Sequence, residues 1–144
     1  MSLLFALAVQ ALAAPQAVMP QPATPPVANA VPSDLPHDWS PLPSITLPPA
    51  STEMVRFVRE EVSAGRCPHN RMTEDGQVVV VVPLAVRLNA ESGAQTVVPL
   101  AIGCPTVEQF SAGAAQRMVR NLPHRAMLAA DRWYRTVITY TWPG

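Results

Sequence analysis

Val78-Val-Val-Val-Val-Pro-Leu-Ala-Val-Arg-Leu-Asn89 is the stretch that decides the fold. Val78, Val80, Val82, Leu84, Val86 and Leu88 fall on one side of an extended chain. The opposite side weakens from Val79 and Val81 to Pro83, Ala85, Arg87 and Asn89. This is a strand whose second half has one face on a core and the other toward water. Glu91-Ser-Gly-Ala94 interrupts the run, and Gln95 to Ala101 resumes with β-branched and apolar residues, which reads as a hairpin. Trp133-Tyr-Arg-Thr-Val-Ile-Thr-Tyr-Thr-Trp142 forms a third strand. Its better core side is Tyr134, Thr136, Ile138, Tyr140 and Trp142.

Two helical segments flank these strands. From Ser51 to Gly65, Val55, Val58 and Val62 recur at helical spacing, with Met54 and Phe57 widening the stripe. Ser51 suits the N-cap, Glu53 the first turn and Gly65 the stop. The second helix starts at Pro105, where a missing N–H does no harm. Cys104 or Thr106 can cap it, and Thr106 with Gln109 has capping-box spacing. Val107, Phe110, Ala114 and Met118 share a face, and Gly113 with alanines 112, 114 and 115 permits close packing. Asp75-Gly76, just ahead of the valines, is a turn signal.

The expected fold is therefore α+β, a small two-layer αββαβ domain over residues 50–144. Two helices cover one face of a three-stranded antiparallel sheet. The second face is left for solvent, a partner or the preceding chain.

That preceding chain divides in two. Leu3 to Ala14 is an uncharged apolar run ending in Ala11-Leu-Ala13-Ala14, which reads as a signal peptide over residues 1–13. It is too short to span a bilayer. Residues 14–49 read as a flexible Pro-rich arm, since eleven of the seventeen prolines lie between Pro15 and Pro49. Within it, Asp34-Leu-Pro-His-Asp-Trp-Ser-Pro41 carries the first charges and a tryptophan. Trp39 either docks on the domain or a partner, or stays an exposed linker residue.

Composition excludes several functions. The chain of 144 residues has no lysine, and ten arginines balance ten acids at zero net charge. Walker-type phosphate loops and Schiff-base chemistry both need the missing lysine. The arginines, spread from Arg56 to Arg135 among acids, form no stripe for nucleic acid. Cys67 and Cys104 flank elements of a chain that reads as exported, and a disulfide between them is the preferred reading. The alternatives are a zinc site drawing on Cys67, His69, Cys104 and His124, or a Cys–His nucleophile. Neither spacing is a standard one. Glu108 and Asp131, two isolated acids, make no acid–base pair. No catalytic residue, metal or cofactor is expected.

The element order, the Glu91-Ser-Gly93 gap, the closing strand and the upstream Pro-rich spacer together resemble the periplasmic C-terminal domain of TonB-like proteins, over roughly Pro48 to Trp142. Val86 to Gly93, Val107 to Met118 and Val137 to Trp142 carry the likeness. Ile102-Gly-Cys-Pro105 departs from that family's Ser-Ser-Gly run. A Tyr-Pro element near the start and a Phe-x-Pro turn before the last strand are also missing. The resemblance implies a periplasmic or secreted, non-enzymatic module that binds a protein partner through an exposed sheet edge. On that reading the partner-binding residues are Trp133, Arg135, Val137 and Thr139. Self-association within a cell-envelope assembly and a small thiol- or metal-dependent enzyme are the competing functions.

Overall fold

A computed structural model describes residues 31–90 and 95–144. The signal-peptide reading over residues 1–13, most of the Pro-rich arm and the hairpin tip at 91–94 lie outside the described residues. The elements are helix α1 (Thr52–Ser63), strands β1 (Arg71–Met72), β2 (Gln77–Leu88) and β3 (Gln95–Pro99), helix α2 (Pro105–Arg120) and strand β4 (Trp133–Pro143), with a 3-10 turn at Arg125–Met127.

Strand β2 is the axis of the sheet. Strand β4 runs antiparallel along one of its sides from Gln77↔Pro143 to Arg87↔Trp133. The other side is shared: β1 pairs at Val78 and Val79, and β3 pairs from Leu84 to Leu88. The sheet is thus antiparallel with four strands rather than three. The addition is the two-residue β1, which sequence reading left as connecting chain. It forms because Gly76, at φ 73, closes a tight turn back to Thr73. The Thr73 N–H then donates to the Gln77 carbonyl at 2.8 Å.

The alternation in the valine run sorts the two faces. Val80, Val82, Leu84, Ile138, Tyr140 and Trp142 form one buried cluster with Met54 and Val58 of α1 and Val107, Ala112, Ala114 and Ala115 of α2. Both helices therefore lie on one face, which we call inner. Ser111, Ala115 and Val119, none of them solvent-accessible, mark the deepest stripe of α2. Phe110 and Met118, which looked central in the sequence, sit half-buried beside α1, and Phe110 stacks on Phe57 at 4.2 Å between ring centroids. Small residues let α2 approach the sheet closely, so its larger side chains are displaced sideways.

The packed body begins earlier than the sequence boundary at residue 50. Val31 to Gly144 forms one compact unit. Residues 34–45, which we call the strap, cross the outer face of the sheet and then turn around the β4 edge. Leu35, Trp39 and Leu42 cover Ala85, Trp133 and Val98 on the outer face. Ile45 is buried on the inner side with Val86, Leu88, Val119, Leu122 and Tyr134. Proline content alone hid this, because five apolar side chains from Leu35 to Leu47 suffice to anchor an otherwise irregular segment.

The expected disulfide is present. Cys67 and Cys104 are joined with Cα atoms 4.7 Å apart, tying the end of α1 to the start of α2. Cys104 is the N-cap of α2 but makes no side-chain capping bond, and Thr106 does not replace it. The capping acceptor is Glu108, whose Oε1 takes the N–H groups of Ile102 and Cys104 at 2.8 and 3.0 Å. A sulfur locked in a disulfide is a poor acceptor, so a carboxylate one turn into the helix satisfies these donors instead.

Candidate protein-binding edge

Strand β4 borders the sheet on the side away from β2, and its backbone chemistry on that side is set by alternation. In a strand the N–H and C=O groups of one residue point the same way, and those of its neighbours point oppositely. Arg135 turns both groups outward: its N–H donates to the Pro43 carbonyl at 2.9 Å, and its carbonyl accepts from Ile45 N–H at 3.0 Å. This is a parallel bridge between Ser44 and Arg135. By the same alternation Val137, Thr139 and Thr141 also present their groups outward. Among the described residues, backbone bonds beyond the strand ladders reach this side of β4 at Arg135 alone.

The strap that takes Arg135 is fastened at its far end by Asp34. Oδ2 of Asp34 accepts from the indole Nε1–H of Trp133 at 3.0 Å and pairs with the Arg87 guanidinium. Arg87 also reaches Asp131 at 3.4 Å and lies over the Trp133 ring, 5.9 Å from its centroid. Asp131 is held at φ 56, an unusual conformation for a residue with a side chain. Its N–H donates to the Leu88 carbonyl at 2.6 Å and its carboxylate accepts from Ala90 N–H at 3.3 Å. In the strap itself, the Ser40 N–H bonds Asp38 at 2.9 Å and holds that carboxyl below its ordinary range.

The four residues expected to meet a partner are therefore split. Trp133 is buried beneath the strap with 6% of its surface exposed. Arg135 keeps an exposed side chain but gives its backbone to the strap. Val137, 53% exposed, and Thr139 keep both an open side chain and an outward backbone. The core-side aromatics Tyr140 and Trp142 are buried.

A groove of about 810 Å³ adjoins this free segment. The strap and residues 44–50 form its walls, and residues 135–139 of β4 with Pro83 and Leu100 complete it. Leu100 is 45% exposed. Sequence reading missed Pro83 and Leu100 as parts of this groove, and Asp34 as the anchor of the strap. They lie far apart in the chain, and only the β2–β4 and β2–β3 registers bring Val137, Pro83 and Leu100 into one row.

The cysteines leave the list of reactive groups. With both sulfurs in the disulfide, neither is available as a thiolate ligand or nucleophile. Among the described residues no three His, Cys, Asp or Glu side chains gather as a metal site. Glu108 serves as a cap, and Asp131 as an anchor. No helix among them is long and apolar enough to cross a membrane. Comparison with protein-family models, with curated proteins and with solved structures finds no match.

Proposed function

We propose that this protein is a non-enzymatic, protein-binding module of the cell envelope, and that it binds by accepting an extended segment of a partner along the free edge of β4. The observation that carries the reading is the outward main chain of Val137, Thr139 and Thr141. An edge of this kind is a template for strand addition. Soluble proteins usually blunt such edges with charge, proline or a bulge, yet Thr136 to Trp142 contains neither charge nor proline. The resemblance to TonB-like C-terminal domains points to the same terminal strand.

An extracytoplasmic location is part of the proposal. A buried disulfide persists where the surroundings are oxidising, which supports export. The apolar run over residues 3–14 supports it independently.

The test is site-specific photo-cross-linking in cells that produce the full chain. A photoreactive residue at Thr139 is expected to capture one discrete envelope partner, whereas the same group at Arg59, exposed on α1, is not. Equal capture from both positions, or none from Thr139, overturns the edge reading. A product with the mass of two copies identifies the partner as the protein itself.

A further inference from the structure

Resting on the edge-binding reading, we infer that the bound segment is short, about five residues, and that its residue beside Val137 is a large apolar or aromatic one seated in the groove between the strap and β4. Length follows from the two ends of the free edge. Arg135 has already given its N–H and carbonyl to the strap, so a ladder built on β4 cannot extend past Val137 in that direction. At the other end stands Pro143, which has no N–H to offer. The outward groups of Val137, Thr139 and Thr141 lie between these stops.

The side-chain preference follows from registry. A residue directly opposite Val137 in an added strand shares the face of Val137, which is the outer face. On that face Val137 lies in one row with Pro83 and Leu100. The neighbouring row, Arg135, Ala85 and Val98, carries the apolar cover of the strap, ending in Trp39 and Leu42. Among the described residues the row of Val137 has no such cover, and the groove of about 810 Å³ opens over it. The row itself, Val137, Pro83 and Leu100, carries no charge, while Asp38 and Arg135 line the groove wall. Arg135 and Asp38 already interact with each other, so a charged residue beside Val137 would lose hydration over an apolar row, while an aromatic ring would bury surface on both the strap and the row.

The probe is the peptide acetyl-Phe-Thr-Val-Thr-Phe-amide, which sets a ring beside Val137 whichever way it runs. It is titrated into the full chain and followed by backbone amide NMR. Saturable shifts are expected at Val137, Thr139 and Thr141. Replacing both phenylalanines by Asp is expected to weaken binding at least tenfold, as is N-methylation at all three internal residues, which removes the bonding N–H groups in either direction. In the protein, Leu100→Ser weakens the peptide and Thr139→Pro removes it, with Phe57→Ala on the helical side neutral. Each variant is first checked for native amide dispersion. Equal binding of the Asp peptide, shifts confined to the helices, or no binding at millimolar peptide overturns the inference. Capture from Thr139 in cells would then leave the edge reading standing without the apolar anchor.

Discussion

Asp34 and Trp133 are joined by a hydrogen bond of 3.0 Å across 99 positions of sequence, and this contact holds the strap on the outer face of the sheet. Trp133 needs the contact because its indole N–H is otherwise left facing apolar cover. The Arg87 pair at the same carboxylate is partly open to solvent and adds less. Asp34→Ala is therefore expected to cost about 1–2 kcal/mol, mostly from the unpaired indole donor. Its local signature is faster hydrogen exchange at the amides of Ile45 and Arg135, with Val80 and Val82 in the central strand protected as before. Unchanged exchange at both strap amides would show that Leu35 and Ile45 hold the segment without the carboxylate.

How far the sequence foretold this arrangement depends on whether a residue's neighbours are local. The valine run from Val78 sorts inner from outer at every second position, because a strand exposes its period directly. The closing strand does the same from Tyr134 to Trp142, and the two cysteines at helix boundaries were readable as a pair. The strap was not readable. Its Leu35, Trp39, Leu42 and Ile45 recur at spacings of four, three and three, but Pro36, Pro41 and Pro43 forbid the helix that spacing suggests, and the segment instead bends around an edge and contacts both faces. Trp133 stood out as an aromatic on the polar side of β4, which reads as a binding residue. Its cover comes from Leu35, and nothing local to either residue announces it. The groove was hidden for a related reason, because Pro83, Leu100 and Val137 meet only through strand register.

Tyr140 and Ser111 share a hydrogen bond of 2.8 Å between two residues with no solvent-accessible surface, linking β4 to α2. Tyr140→Phe leaves the Ser111 hydroxyl buried without this partner, and a loss of about 1–2 kcal/mol is expected by denaturant unfolding. Burial pushes the Tyr140 hydroxyl above its ordinary value of 10.0, and the bond from Ser111 partly opposes that. A raised folded value means that the native state favours the neutral form. This contribution to stability is complete below the unfolded value near 10.0 and is lost as pH rises through the folded one. The wild type should therefore lose stability more steeply than Tyr140→Phe above pH 10. Parallel curves would place the alkaline transition elsewhere.

Glu61 and Arg66 make a two-pronged pair at the end of α1, with contacts of 2.9 and 2.7 Å. The Arg66 guanidinium, chiefly by hydrogen bonding, holds the Glu61 carboxyl below its ordinary value of 4.5. A depressed folded value contributes stability that is present above the unfolded value and is lost as pH falls through the folded one. Glu61→Gln should thus be less stable than wild type at pH 7, and the gap should close as pH falls below 4.5 and through the depressed folded value. A gap of constant size would mean that the amide disturbs packing rather than charge.

The Cys67–Cys104 disulfide closes a loop of 37 positions at the point where both helices meet the sheet. Chain-entropy reasoning for a loop of this length gives a stabilisation of about 4 kcal/mol. Both sulfurs are buried in the main core, so a small reductant should reach them only through opening of that core. Reduction under native conditions is therefore expected to be slow and to accelerate sharply in denaturant. Cys67→Ser with Cys104→Ser should lower the unfolding free energy by about that 4 kcal/mol, less what the two hydroxyls cost in an apolar site. The strap gives an internal control, since it is attached upstream of α1 and its Leu35, Trp39 and Leu42 make their contacts on the far face of the sheet. If the double variant still folds, exchange at Arg135 should rise only in step with global unfolding. Selective exposure of Arg135 in that variant would mean that the disulfide also holds the edge in place, and the free segment of β4 would then have to be redefined.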